Sequence, residues 1–211
     1  MPGLSTEFAH DLAPLKLAAL DEIGQTALQK LNARGIEVYT GFRRQDQPEV
    51  ATIAGQTGVR EFCANDTNRR FATEEMAEEW QKKGRLFFQL RDLGRSSLIG
   101  YGWTGPERCG ELPDCENTFA ERLSEEVAGR GLGAPFAVVI ASGSVALDVC
   151  KVGLETWGSN TAAVRSYLKA GAELVTTRDD QRPTQNPAPH EADGKRRDVR
   201  LFMRFPQTFT D

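Results

Sequence analysis

A glycine-rich segment, GRGLGAP at residues 129–135, has the residue types best suited to binding a charged ligand. Its three glycines alternate with Arg130 and Leu132, so a ligand can approach the backbone N–H groups without meeting a Cβ. Where such a turn opens a helix, several unpaired N–H groups and the positive end of the helix dipole point at one place. Arg130 adds a full positive charge. The segment is therefore a candidate cradle for a phosphate or pyrophosphate.

Three kinds of phosphate cradle compete for this segment. A P-loop ends in Gly-Lys-Ser/Thr, whereas Gly133 is followed by Ala134 and Pro135, which excludes it. A dinucleotide fingerprint needs a buried hydrophobic strand before it and an acidic residue about 20 positions later. Asp148 follows the glycine segment at a spacing that this fingerprint allows for its acidic residue. Residues 121–128 (ERLSEEVA), however, are too polar for a central parallel strand. The dinucleotide site is the weaker alternative, and the cradle of acyl-CoA-dependent enzymes is the third.

A second segment, WGSNTAAVRSYLKAG at residues 157–171, predicts a helix that follows a strand. The helix has Asn160 as its N-cap and ends before Gly171. Tyr167 lies near its C-terminal end. Considered without any family pattern, Asn160 is a plain helix cap and Tyr167 is a tyrosine half-buried against the sheet with its hydroxyl on water.

Together the two segments resemble the GNAT superfamily of acyl-CoA N-acyltransferases. Residues 130–133 supply the Arg-Gly-x-Gly core of that family's first motif, with Ala128 in place of the usual Gln or Arg. Four residues match the family's second motif, Asn-x-x-Ala-x-x-x-Tyr-x-x-x-Gly: Asn160, Ala163, Tyr167 and Gly171. Ala172 then replaces the usual Phe. The resemblance extends over the order of strands and helices from about Ile36 to Phe205.

The resemblance implies an α/β (α+β) fold with a mixed, mostly antiparallel central sheet that is flanked by helices. The middle strands would splay apart to admit the pantetheine arm of acetyl-CoA, the implied co-substrate. The implied cofactor-binding residues are Leu123, Ser124, Arg130, Gly131, Leu132, Gly133, Ala134 and Asn160. The resemblance also implies that Tyr167 points at the acyl thioester and protonates the departing thiolate of coenzyme A.

Acetyl transfer to an amine also needs a base that removes a proton from the acceptor. His10 and His190 lie far from both motifs, so a carboxylate is the expected base. Glu121 shares a strand face with Leu123 and is the candidate, although a solvated strand carboxylate explains it equally well. Glu155 on the next predicted strand is the alternative. Three acids of one loop could instead attract a cationic acceptor: Glu111, Asp114 and Glu116.

The hydrophobic spacing predicts the elements that must position these residues. One or two helices are expected over residues 12–35, and two short helices between Pro48 and Gly84. Strands are predicted at residues 36–42, 85–92, 98–103, 116–125, 148–160, 172–177 and 198–205. Residues 134–147 are predicted to be a helix, because a proline in the first turn and several alanines suit a helix start. The last two strands are expected to form a terminal hairpin.

The composition is that of one globular domain with a short extension. The chain has 211 residues, of which 39% are hydrophobic and 27% are charged, which is enough for a sizeable core. We expect an N-terminal helical extension over residues 1–35 and an N-acetyltransferase domain over residues 36–206. Within that domain, residues 179–198 are expected to be a mobile loop.

Charge and hydropathy exclude several classes of partner. A net charge of -4 argues against a surface that neutralises many phosphates of a nucleic acid. No apolar run approaches the roughly 20 residues that span a bilayer, so we expect no membrane partner and a cytoplasmic location. The cysteines are few, irregularly spaced and without metal-ligating neighbours, which predicts reduced thiols and no metal site: Cys63, Cys109, Cys115 and Cys150.

The expected partner is a small-molecule or protein amine, and we also expect a homodimer. An alternative function from another class is a non-catalytic acyl-CoA-binding module that regulates a partner through its helical extension. The two departures from the family motifs, Ala128 and Ala172, leave that alternative open.

Overall fold

The computed structural model describes residues 12–147, 149, 151–183 and 195–206. They form one eight-stranded sheet with helices on both faces. The strands are β1 (Ala13–Pro14), β2 (Ile36–Thr40), β3 (Leu86–Asp92), β4 (Ser97–Pro106), β5 (Asn117–Leu123), β6 (Val152–Trp157), β7 (Glu173–Pro183) and β8 (Lys195–Arg204). The helices are α1 (Glu22–Asn32), α2 (Gln47–Gly55), α3 (Thr57–Asn65), α4 (Glu74–Gln81), α5 (Gly133–Ala146) and α6 (Thr161–Lys169).

The sheet is mixed and mostly antiparallel, which confirms the predicted fold class. Its strand order is β1-β2-β3-β4-β5-β6-β8-β7, and only β5 and β6 are parallel neighbours in the described chain. Their register consists of two pairs, Asn117 with Val152 and Thr118 with Gly153. Beyond Thr118, β5 continues to Leu123 alongside β4, while β6 pairs with β8. The two middle strands therefore diverge, and a gap opens between them.

Helix α5 is buried on one face of the sheet, with α1 packed on its outer side. Because it is covered all round, its residues are apolar on every face instead of forming one stripe. Gly102 of β4 permits the close approach, since a Cβ there would lie 2.5 Å from Ile140 Cδ1. Leu28 and Leu31 of α1 join the same core. Packing in this core fixes the N-terminal end of α5 beside the gap between β5 and β6.

The opposite face carries a second core, built mainly from aromatic rings and covered by α2, α3 and α4. Tyr101 and Trp103 of β4 point to this face because side chains alternate along a strand. Phe71 contacts both rings edge-on, with centroid distances of 5.4 Å and 6.1 Å. Helices therefore border the gap between β5 and β6 from both faces of the sheet.

Three predicted segments differ in detail from the structure. Residues 12–21, which the sequence predicts as helical, contain strand β1 and a 3-10 turn at Leu17–Ala19, and α1 begins only at Glu22. Between Pro48 and Gly84 the sequence predicts two helices, but the structure has three, α2, α3 and α4. A π-helical turn at Asp66–Arg70 lies between α3 and α4. The first two helices are separate because the backbone at Gln56 is extended, with a ψ of 143°. The prediction of a mobile loop at residues 179–198 is wrong at both ends. Residues 179–183 belong to β7 and residues 195–198 to β8, and Pro183 pairs with Lys195. The central positions of that loop lie outside the described residues.

The expected boundary at residue 35 does not mark a break in packing. β1 pairs with β2, and α1 places Leu28 and Leu31 in the main core. The described part of the expected extension, residues 12–35, therefore packs as part of the same unit as the sheet.

Candidate active site

The glycine segment forms an open turn that leads into α5. Gly129 and Gly131 have φ angles of 75° and 72°, in the left-handed region that favours glycine. A Cβ built on either residue would meet nothing within 4 Å, so the turn presents its backbone to open space. α5 begins at Gly133, and the N–H groups of a helix's first turn have no carbonyl partner inside the helix. This geometry suits an anion.

Two arginines lie at this turn. Arg130 is exposed, and its carbonyl accepts a hydrogen bond from Arg34 Nη1 at 3.0 Å. Leu132 is buried and anchors the turn to the main core. Arg34 follows α1 and is 96 positions away in the chain, so sequence spacing gave no signal for it.

The end of β5 is tied to the junction between α2 and α3. The buried hydroxyl of Ser124 accepts a hydrogen bond from Gln56 Nε2 at 3.1 Å, and Gln56 Oε1 accepts one from the Glu125 N–H at 2.8 Å. The Glu125 carboxylate in turn accepts the Gly58 N–H at 2.6 Å. Leu123 and Ser124 are therefore fixed at the point where the gap between β5 and β6 is wide. Sequence analysis did not identify Gln56.

Three elements converge at Gly133, the first residue of α5. A Cβ built there would lie 2.4 Å from Ser166 Oγ of α6 and 3.0 Å from Glu121 Oε1 of β5. A side chain at this position would force the side chains of Ser166 and Glu121 to move. The structure thus brings Glu121, the helix start and α6 together beside the gap.

The carboxyl group of Glu121 is enclosed at this point. Its Oε2 has no hydrogen-bond partner among the described residues. Burial raises the pKa of Glu121 well above its usual range, and the nearby charge of Arg122 offsets only part of that effect. The group therefore holds a proton more tightly than a surface glutamate does, and the interpretation of Glu121 as a solvated strand carboxylate does not fit.

Tyr167 is buried beside the same gap, with 5% of its surface exposed. Its ring packs edge-on against Phe119 of β5 at a centroid distance of 5.6 Å. Burial raises the pKa of Tyr167, and the charge of Glu121 raises it further, so the two groups lie within electrostatic range. The phenol keeps its proton and has it available to donate.

Asn160 is the N-cap of α6. Its Oδ1 accepts a hydrogen bond from the Ala163 N–H at 3.2 Å, so the plain capping role is present. This bond uses the amide oxygen of Asn160 and leaves the amide nitrogen for another contact.

The other candidate acids are held by cations at the surface. Glu155 is exposed, and its Oε1 lies 3.4 Å from Arg200 Nη1. In the loop before β5, Glu111 pairs with Arg178 at 2.6 Å and Glu116 pairs with Lys151 at 3.0 Å. Asp114 of the same loop is exposed. The structure thus does not bring these acids together with Glu121 and Tyr167.

A buried polar network on the α2–α4 side is the largest feature that sequence analysis missed. Asp66 is fully buried and accepts hydrogen bonds from Arg70 Nη1 at 2.7 Å, Arg122 Nε at 2.8 Å and the Tyr101 hydroxyl at 3.1 Å. Both guanidinium groups lie 5.1 Å from the centroid of Trp103. The available signal was an arginine inside a central strand, which is rare without a partner.

The described cysteines are free thiols. Burial raises the pKa of Cys63 to about 11 and that of Cys109 to about 12, so neither is a thiolate near neutral pH. Cys150, His10 and His190 lie outside the described residues. No group of His, Cys, Asp and Glu side chains in the described part of the chain could hold a metal ion. Within the same residues, no helix has the length and apolar character of a membrane span.

Comparisons with known proteins identify the fold. No protein-family model matches the chain, and no curated protein matches it. Among solved structures, spermidine N-acetyltransferase from Vibrio cholerae in complex with CoA and spermine has a TM-score of 0.61 at 14% identity, covering 82% of this chain and 97% of its own. AAC(6')-Ib in complex with ribostamycin and coenzyme A has a TM-score of 0.58 at 15% identity, over 84% and 99%.

A GNAT-family acetyltransferase from Streptococcus pneumoniae is similar to the same degree. Its TM-score is 0.58 at 15% identity, with 81% of this chain and 100% of that chain covered. The similarity to these structures is one of fold. The chain therefore has the fold of the GNAT-family N-acetyltransferases.

Proposed function

We propose that this protein is an N-acetyltransferase that transfers the acetyl group of acetyl-CoA to a primary amine by direct attack. The observation that carries the proposal is the gap between β5 and β6, with Glu121 and Tyr167 beside it and the open glycine turn next to it. Structures with this fold include complexes of coenzyme A with spermine and with ribostamycin, which supports an amine acceptor.

The residues around the gap fit acetyl-CoA. Its pyrophosphate would accept hydrogen bonds from the backbone N–H groups of residues 131–134, and Arg130 would neutralise part of its negative charge. Its pantetheine amides would pair with the edge of β5 at Leu123, which the divergence from β6 leaves open in the described chain. Ser124 would contact the arm without its backbone, because its N–H donates to the Ile99 carbonyl and its own carbonyl accepts from Val127. The amide nitrogen of Asn160 would contact the same arm from α6.

The reaction joins the amine nitrogen to the acetyl carbonyl carbon and breaks the carbon–sulfur bond of the thioester. The carboxylate form of Glu121 accepts the proton that the amine loses, directly or through a water molecule. Tyr167 donates its proton to the departing thiolate and recovers one from solvent. A carboxylate whose pKa is raised is a stronger base than that of an ordinary glutamate. Holding thioester and amine together in the gap supplies much of the rate.

The test is an acceptor screen that measures release of free thiol from acetyl-CoA. Amines, amino acids and peptide N-termini are offered in turn, and we expect turnover with at least one class. Acetyl-CoA binding without turnover by any acceptor would contradict the proposal and favour the non-catalytic module. The motif departures do not require that module, because Ala172 fills a buried core position and Ala128 leaves the backbone turn intact.

A further inference from the structure

The side of the gap opposite α5 is lined by arginines. Side chains alternate along β5, so Arg122 faces α2–α4 while Glu121 faces α5 and α6. The glycine turn lies on the α5 side of the sheet. If the glycine turn binds acetyl-CoA on the α5 side, an acceptor that attacks the thioester would approach from the opposite face of the sheet, where Arg122 lies.

Arg122 and Arg70 share one carboxylate. Asp66 is fully buried, whereas the side chains of Arg70 and Arg122 keep 22% and 14% of their surface exposed. The network of two guanidinium groups and one carboxylate therefore carries one surplus positive charge, which partly faces solvent. Trp103 contacts both guanidinium groups and fixes their position. The surplus charge is thus held rigidly instead of on a mobile surface chain.

A third guanidinium lies on the same face. Arg200 of β8 stacks on Trp157 of β6, with its Cζ atom 3.5 Å from the ring centroid. Its nearest acids are Glu155 at 3.4 Å and Asp180 at 3.8 Å, and its Nε has no hydrogen-bond partner among the residues described. Arg70, Arg122 and Arg200 are all close enough to the Cys63 thiol for their charges to lower its pKa, so the three arginines lie in one part of this face.

The acids around this region are already bound by cations. Arg182, which is almost fully buried, donates to Glu61 Oε1 at 3.0 Å and to Asp198 Oδ2 at 3.3 Å. Asp180 pairs with Arg178 at 3.0 Å. A polycationic acceptor would therefore have to displace arginines from these acids, and it would meet the surplus charge near Arg122.

From this arrangement we infer that the acceptor is an amino-acid-like molecule, with a carboxylate close to its amine, and that Arg122 and Arg70 bind this carboxylate. The inference rests on the proposed acetyl transfer and names its substrate class. A guanidinium pair offers planar, charge-assisted hydrogen bonds that match a carboxylate. This acceptor class differs from the cationic acceptor that the acids before β5 favour in the sequence, because its carboxylate offsets the charge of its amine.

The first experiment measures kcat/KM for pairs of α-amino acids and their α-amides, with spermidine as a polycationic acceptor. We expect the carboxylate member of the preferred pair to react at least about tenfold better than its amide, the loss typical of one charge-assisted hydrogen bond. Equal or better use of the amide, or a preference for spermidine, would overturn the inference.

A matched pair of variants tests the residues. Arg70→Gln removes a guanidinium group of the network, whereas Arg69→Gln changes the exposed neighbouring arginine. We expect Arg70→Gln to reduce the preference for the carboxylate over the amide about ten- to a hundredfold, and Arg69→Gln to preserve it. If Arg70→Gln lowered only the melting temperature and left the preference unchanged, the network would be purely structural and the inference would be wrong.

A binding measurement separates this inference from the proposed function. Calorimetry titrates the same amino acids and amides into the protein saturated with coenzyme A. Binding of the acid but not the amide, lost in Arg70→Gln and kept in Arg69→Gln, would support the carboxylate site even if no acceptor were acetylated. Absence of any difference between acid and amide would refute it, whatever the outcome of the thiol-release screen.

Discussion

Tyr167 is a buried phenol beside the gap between β5 and β6. Its raised pKa means that the phenol is protonated throughout the neutral range. We predict that Tyr167→Phe lowers kcat about ten- to a thousandfold and leaves the affinity for acetyl-CoA nearly unchanged, because only the proton for the leaving thiolate is lost. Steady-state kinetics from about pH 6 to about pH 9 measure kcat, and calorimetry measures the affinity for acetyl-CoA. Wild-type turnover in the variant would make Tyr167 a packing residue.

Glu121 links catalysis to stability through its raised pKa. Below its ordinary value near 4.5 the carboxyl is protonated in both the folded and the unfolded chain. As the pH rises, the unfolded chain ionises first, so the folded wild type loses stability until the folded pKa is passed. Glu121→Gln lacks this loss, and we predict that its free energy of unfolding exceeds that of the wild type at pH 7 to 8.

The same variant tests the role of Glu121 as a base. We predict that Glu121→Gln lowers kcat/KM about a hundredfold or more, the usual effect of a positioned base. Urea unfolding at several pH values and thiol-release kinetics measure both effects. Glu126→Gln is the control, because Glu126 is exposed and pairs with Arg95 at 3.2 Å. A stability difference that stayed constant from pH 4 to 8 would mean that Glu121 does not hold its proton in the fold.

The turn into α5 is the element that we expect to govern affinity for the cofactor. Gly131 has a positive φ, so a branched residue there is strained by roughly 1–2 kcal/mol and places its side chain in the open turn. We predict that Gly131→Val folds with slightly lower stability and loses acetyl-CoA affinity by more than about tenfold. Gly55→Ala is the matched control: its Cβ also meets open space, but its φ is not positive. Unchanged affinity in a folded Gly131→Val would remove the turn from the site.

Local patterns predicted the elements of the site better than its side-chain partners. The glycine turn and α6 were predictable because positive-φ glycines, the N-cap Asn160 and the spacing of Tyr167 are local features. The network of Asp66 was not, because Arg122 lies 56 positions away and reaches it only through the folded sheet. The third helix between Pro48 and Gly84 was missed because its boundary is one extended residue, Gln56, and the nearby Gly55 and Gly58 are themselves part of the two helices.

At the scale of the whole molecule, the sheet consists of two parts that share little backbone pairing. Strands β1 to β5 form one part and β6 to β8 the other, joined in the described chain by two residue pairs between β5 and β6. Contacts of α5 with α6, and of Arg182 with Glu61 of α3, hold the parts together across the gap. A ligand in the gap would contact both parts. A homodimer, which sedimentation would detect, stays a prediction, as does the cytoplasmic location.

This architecture predicts that acetyl-CoA stabilises the fold as a whole. A ligand that binds only the folded state, present at a hundred times its dissociation constant, adds about 2.7 kcal/mol to the free energy of unfolding. For a chain of this size that raises the melting temperature by roughly 5 to 10 °C. NAD has no matching pantetheine arm and should produce no comparable shift. Differential scanning fluorimetry with each ligand measures the effect, and the Gly131→Val variant should lose most of the shift. Stabilisation by NAD together with no response to millimolar acetyl-CoA would replace the acyl-CoA cradle with a dinucleotide site.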